Sequence, residues 1–220
     1  MRLVIISGLS GSGKSIGLNV LEDSGYYVVD NLPAKLLLHL VDYLEQAGYE
    51  RAAISVDVRS GQGLDELPEL VRQIKLRTID LKVLFLEAKT DTLVKRFSET
   101  RRRHPLSETG GTLPECIERE RDLLEPLKAV AHRIDTSDLS ANALRAWIKE
   151  FVAAGARAGL TLLVESFGFK HGIPLDADYV FDVRCLPNPY YDERLRLLTG
   201  RDAAVAKFLK ESEAVGAMLD

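Results

Sequence analysis

Apolar residues along the first 150 positions come in short unbroken blocks separated by stretches of helical period. Leu3-Val4-Ile5-Ile6 is one such block, and Tyr26-Tyr27-Val28-Val29, Ala52-Ala53-Ile54-Ser55-Val56 and Val83-Leu84-Phe85-Leu86 repeat the form. Apolar blocks without alternation mark strands covered on both faces, the situation of strands in a parallel sheet. The pattern predicts strands over 3–7, 26–30, 52–58, 82–87 and, more briefly, 133–136. Between them apolar residues return every three or four positions, predicting helices over 14–23, from the Asn31-Leu32-Pro33 turn to Gly48, and over 64–75, 90–103 and 113–131. A last helix, capped by Asp138 or Ser140, runs through Val152. Ser24-Gly25 and Gly48 are glycine stops of the kind that close helices.

Strands alternating with helices imply an α/β fold in which a parallel sheet carries helices on both faces. Ligands in such folds sit beyond the carboxyl ends of the strands. One strand end is distinctive. The first strand runs directly into Gly8-Leu9-Ser10-Gly11-Ser12-Gly13-Lys14-Ser15, a G-x-x-x-x-G-K-S phosphate loop placed between a strand and a helix. Its glycines let the backbone curl so that successive N–H groups point inward around a triphosphate, and the following helix adds its positive end. Lys14 is expected to reach the β- and γ-phosphates and the Ser15 hydroxyl to ligate Mg²⁺. The fold is therefore expected to be of the P-loop NTPase type.

Beyond about residue 153 the composition changes. Ala153-Ala154-Gly155-Ala156-Arg157-Ala158-Gly159 reads as a linker, followed by apolar residues 160–166, a loop over 168–174, a strand over 179–183, the Pro187-Asn188-Pro189 turn and a helix over 203–209. We therefore expect a nucleotide-binding domain over 1–154 and a partial α/β domain over 160–220, short of a complete sheet. At 46% hydrophobic and 28% charged residues the chain is ordinary globular material, and no apolar stretch approaches the length of a membrane span. The first strand starts so early that no signal peptide is expected. Two widely spaced cysteines, Cys116 and Cys185, fit reduced thiols, so a cytoplasmic location is expected. Up to residue 155 there are 21 basic and 23 acidic residues, and 8 and 10 beyond it. Neither part has the basic excess of a general nucleic-acid binder.

Phosphoryl transfer needs positioning and charge neutralisation, and a carboxylate at a strand end usually holds Mg²⁺ or the attacking water. Three acids compete for that place: Glu87 and Asp57, each after a fully apolar strand, and Asp30 at the end of the second strand. Arg96 with Arg101-Arg102-Arg103-His104-Pro105 forms a cationic cluster flanked by Pro105 and Gly110-Gly111, chemistry suited to closing over a transferring phosphate. Lys14, Glu87, Asp30 and Arg102 are the residues expected to take part in chemistry. Lys170-His171-Gly172, beside glycine-rich backbone, could hold an anion.

Several strings occur together and in order: Gly8–Ser15 with its preceding strand, Leu21-Glu22-Asp23-Ser24-Gly25-Tyr26-Tyr27, Val29-Asp30-Asn31-Leu32-Pro33, Asp57-Val58-Arg59, Thr100-Arg101-Arg102-Arg103-His104-Pro105-Leu106, Glu165-Ser166-Phe167-Gly168-Phe169-Lys170-His171-Gly172 and Asp176-Ala177-Asp178-Tyr179-Val180-Phe181-Asp182. On these the chain resembles the bacterial RapZ/YvcJ family of nucleotide-binding proteins, which includes RNase adapters, over essentially its whole length. The resemblance implies binding and slow hydrolysis of ATP and GTP in a regulatory role. It maps ATP phosphates onto Gly8–Ser15 and a guanine-nucleotide contact onto Asp57, Val58, Arg59 and Ser60, the last standing where some members carry asparagine. Adapter members bind small RNA and a sugar phosphate through a C-terminal domain that continues through a further Gly-Lys-His-Arg-type segment and a basic tail. Neither is in this sequence, so the second domain is expected to be shortened, with small-RNA and RNase partners reduced accordingly. Self-association into a homo-oligomer stays open. Two other readings stand beside this one: a small-molecule kinase, suggested by the arginine cluster and Asp30-Asn31, and an RNA-binding adapter that merely retains the loop.

Overall fold

A computed structural model describes residues 1–60, 63–153, 164, 166–169, 173 and 177–219. Five strands, β1 (Arg2–Gly8), β2 (Tyr27–Val29), β3 (Arg51–Ser55), β4 (Asp80–Glu87) and β5 (His132–Asp135), form one parallel sheet in the order β2-β3-β1-β4-β5. The helices α1 (Lys14–Asp23), α2 (Leu37–Gln46), α3 (Leu67–Lys75), α4 (Thr90–Thr100), α5 (Leu113–Lys128) and α6 (Ala141–Ala153) connect and cover the strands. β1 lies at the centre, hydrogen-bonded to β3 on one side and β4 on the other.

The side-chain period of two divides the apolar run of β1 between two cores. Leu3 and Ile5 pack with Leu37, Val41, Leu44, Ile54, Val71, Phe85 and Leu124 on one face. Val4 and Ile6 pack with Leu18, Leu21, Ala53, Leu84, Ile134, Leu144 and Ile148 on the other. The α/β fold with a parallel sheet covered on both faces is thus the one the apolar blocks predict. Ser140 supplies the cap of α6, its hydroxyl accepting the N–H of Ala143 at 3.1 Å.

Several element ends differ from the sequence expectation, each for a local reason. β3 stops at Ser55 and not at Val58, because Asp57 accepts the backbone N–H of Arg59 at 2.9 Å and Val58–Ser60 turns as a 3₁₀ segment. The segment after Pro33 begins as a 3₁₀ turn, Ala34–Leu36, before α2. α3 starts at Leu67 with Pro68 in its first turn, where a missing N–H costs nothing. α4 ends at Thr100, and Arg101 adopts a left-handed conformation (φ 52°), so the arginine run lies outside the helix that was expected to carry it. α5 ends at Lys128.

The chain divides into two compact units, Met1–Asp176 and Ala177–Asp220. The described part of the second unit holds a 3₁₀ turn (Pro189–Tyr191) and two helices, α7 (Ala203–Lys210) and α8 (Glu213–Leu219). The strand expected over 179–183 does not form there: Asp182 instead accepts the backbone N–H and the guanidinium of Arg184 in a local turn, and Tyr179, Phe181 and Val183 are exposed. Most of the linker, most of the apolar run over 160–166 and the Lys170-His171-Gly172 segment lie outside the described residues. Among the described residues no helix is long and apolar enough to cross a membrane.

Candidate phosphate site

The site is built where β1 ends. Gly8 has φ 134°, and a β-carbon there would stand 2.0 Å from the carbonyl oxygen of Leu86 on β4. Only glycine lets the chain leave the sheet at this point. Gly13, at φ 110°, is the residue that turns the loop into α1, and a β-carbon on it would meet the Leu144 side chain at 2.7 Å. The loop between them closes on itself through Ser12 N–H to the Leu9 carbonyl, at 3.1 Å.

Three residues from other parts of the chain hold the loop from outside. The hydroxyl of Thr136, just past β5, donates to the Ser12 carbonyl at 2.8 Å. Arg96 of α4 donates through Nη1 to the Gly11 carbonyl and the Thr136 hydroxyl, both at 3.1 Å, and through Nη2 to the Thr136 carbonyl at 2.6 Å. Burial pulls this guanidinium below its ordinary value, while Asp135 and Glu99 act the other way. Glu120 of α5, fully buried, accepts both the N–H and the hydroxyl of Ser10, at 2.9 and 2.8 Å.

Lys14 folds back over the loop. Its ammonium donates to the carbonyls of Gly8 (2.7 Å) and Leu9 (3.1 Å) and lies 3.4 Å from Asp57 Oδ2. Asp57 is fully buried just beyond β3, the strand beside β1, so the sheet order brings these two residues together. The backbone N–H groups of Gly11, Gly13, Lys14 and Ser15 have no acceptor among the described residues. The buried hydroxyls of Ser7, Ser12 and Ser55 likewise have no partner there. Unsatisfied donors around a lysine at a helix start form a cradle for an anion, since each buried polar group left unpaired costs about 1–3 kcal/mol.

Glu87, Asp30 and Arg102 are not brought to this cradle. Glu87 ends β4 on the face of the sheet opposite α1, where its carboxylate receives Arg133 Nε and Nη2 at 3.0 and 2.7 Å, with Arg121 and Lys128 at 3.7 and 3.5 Å. Asp30 is exposed past the edge strand β2 and accepts the N–H of Asn31. Arg102 is exposed, as are Arg101 and Arg103, and none of the three makes an ion pair with the described residues. Val58 is buried, Arg59 sits with Nη1 3.9 Å from Asp57 Oδ2, and the Ser60 side chain lies outside the described atoms. Ser15 is exposed at the start of α1. Glu120 and Thr136 are the residues sequence reasoning left unused, and the pairing of His104 with Glu120 was not foreseen. Only their burial among groups far away in the chain marks them, and nothing in a single sequence displays it.

Comparison with known proteins adds to this geometry. A model of the RapZ-like N-terminal domain matches residues 1–156, and a model of the RapZ C-terminal domain matches residues 160–220. A nucleotide-binding protein of Azoarcus sp. (strain BH72) is 60% identical over 220 residues, covering 100% of this chain and 75% of that protein. Another, from Thiobacillus denitrificans, is 60% identical over 219 residues, covering 100% and 78% respectively. Among solved structures, a shikimate kinase from Acinetobacter baumannii in complex with shikimate aligns with TM-score 0.47 at 16% identity, over 69% of this chain and 93% of that one.

Proposed function

We propose, from the premise that the chain belongs to the RapZ-like family, that Gly8–Ser15 binds the triphosphate of ATP or GTP with Mg²⁺ and that the bound nucleotide is hydrolysed slowly, in a regulatory role. The observation that carries this reading is the set of four unpaired N–H groups on Gly11, Gly13, Lys14 and Ser15, closed over by the Lys14 ammonium. Fixed donors of this kind act on phosphate charge without reorganising, which is most of what phosphoryl chemistry asks of a protein.

The residues present fit the metal. Ser15 offers a hydroxyl at the start of α1, Asp57 offers a buried carboxylate beside Lys14, and the unpartnered hydroxyls of Ser7, Ser12 and Ser55 make the surroundings polar. When bound, Mg²⁺ supplies charge neutralisation between the transferring and leaving phosphates. Ser15 would be its direct ligand, and Asp57 would hold a water on it. Lys14 leaves the Gly8 and Leu9 carbonyls for the phosphate oxygens, keeping its charge opposite Asp57 throughout. The place of Asp57 supports a role at the phosphates rather than on a nucleobase, so its contribution is the same for adenine and guanine nucleotides. Slow turnover fits the commitment of Glu87 to Arg133 and away from an attacking water.

A radiolabel experiment tests the reaction. With γ-labelled ATP and Mg²⁺, label is expected as inorganic phosphate without any added acceptor. Label released only when a small-molecule acceptor is supplied would instead establish a kinase, and no release under any condition would overturn hydrolysis.

A further inference from the structure

Glu120 is a fully buried acid next to the loop, and the phosphate chemistry does not use it. Its carboxylate stands between two parts of the chain. On one side it accepts both donors of Ser10 in the loop. On the other, Oε2 receives His104 Nε2 at 3.0 Å, and His104 is itself almost fully buried, its ring 5.3 Å from that of Phe97. The His104 tautomer follows from its second contact: Nδ1 accepts the Leu106 N–H at 3.2 Å, so the ring proton is on Nε2 and points at Glu120. His104 immediately follows Arg101, Arg102 and Arg103, three exposed residues entered through the left-handed Arg101. A non-glycine residue persists in that conformation only where its surroundings determine it. The buried histidine anchors the end of the run.

We propose that Glu120 is a positioning residue that links the occupancy of the phosphate loop to the order of residues 101–103. The inference rests on reading Gly8–Ser15 as a triphosphate cradle. Opening the arginine run requires withdrawing His104 from Glu120, which leaves a buried carboxylate short of a donor. A ligand that stabilises the closed loop holds Ser10, and through Ser10 and Glu120 it raises the cost of that opening. Nucleotide in the loop thereby lowers the frequency with which residues 101–103 open.

The test is limited trypsin digestion, followed by mass spectrometry of the peptides ending at Arg101, Arg102 and Arg103, on the full chain with and without Mg·ATP. Binding is measured separately by titration of a fluorescent ATP analogue. In the unaltered protein saturating Mg·ATP is expected to slow cleavage in the run about ten-fold. His104→Leu cuts the link but leaves Ser10–Glu120 intact: it is expected to bind the analogue within about three-fold of the unaltered protein yet gain no protection. Glu120→Met removes both acceptors and is expected to lose protection. Glu120→Gln can still accept the Ser10 and His104 N–H groups through its oxygen and donate to the Ser10 hydroxyl through its amide, so it is expected to retain protection. Equal protection in His104→Leu and the unaltered protein would overturn the link. So would analogue binding by the unaltered protein with no change in cleavage. Failure of the unaltered protein to bind the analogue at all would overturn the cradle reading beneath it.

Discussion

The ammonium of Lys14 and the carboxylate of Asp57 lie 3.4 Å apart, both inside the protein, although they belong to the start of a helix and the end of a strand more than forty residues further on. The pairing places an acid at the phosphate end of the site. Asp57→Asn keeps the shape and the bond to the Arg59 N–H but removes the negative charge proposed to act on the metal's water. It is expected to lower Mg²⁺-dependent turnover about 100-fold while leaving the ratio of ATP to GTP turnover within about two-fold, as steady-state assays with both nucleotides will show. A selective loss of GTP turnover would place the side chain on the guanine base.

Glu87 should behave differently. Its buried carboxylate carries a two-point contact from Arg133 and nearby charges from Arg121 and Lys128, an arrangement that holds β4 to β5 and α5. Breaking such a pair leaves uncompensated charge, so Glu87→Gln is expected to lower stability by about 2–3 kcal/mol in a denaturant titration while turnover of the folded protein stays within about three-fold. A collapse of turnover with unchanged stability would restore Glu87 to the chemistry.

Arg96 holds Gly11 and Thr136 through the fork of its guanidinium, which one ammonium cannot reproduce. Arg96→Lys and Arg96→Met are both expected to weaken nucleotide binding about ten-fold, measured by fluorescence titration, because the loop loses a fixed support for its backbone. Full recovery in the lysine variant would mean that charge alone matters there.

Gly8→Ala puts a methyl group into the Leu86 carbonyl at a backbone conformation that L-residues avoid. The expected cost is about 3 kcal/mol, a fall in Tm of about 6–12 °C, readable by circular dichroism.

Much of this was legible in the residues alone. Blocks such as Leu3-Val4-Ile5-Ile6 announced strands buried on both faces, and the loop announced its own position because glycines, lysine and serine followed such a block directly. The choice among Asp30, Asp57 and Glu87 was not legible, because it depends on strand order and on which way each side chain faces. β3 lies beside β1, so Asp57 meets Lys14, whereas the cations that claim Glu87 come from positions 121, 128 and 133. Glu120 was hidden for a related reason. In a helix rich in Glu and Arg it reads as one more solvated charge, and its burial is decided by Ser10, 110 residues earlier. The alternating Tyr179, Phe181 and Val183 had the pattern of a strand, yet pattern becomes strand only where a neighbour supplies hydrogen bonds.

Everything proposed for this chain depends on Gly8–Ser15 holding a nucleoside triphosphate through Lys14. Isothermal titration of Mg·ATP and Mg·GTP into the unaltered protein and into Lys14→Ala, with circular dichroism confirming that both are folded, tests it most directly. Saturable binding of both nucleotides by the unaltered protein, weakened about 100-fold or more in the folded variant, is the expected result. Equal binding by a folded Lys14→Ala protein, or no binding by the unaltered one, would contradict it.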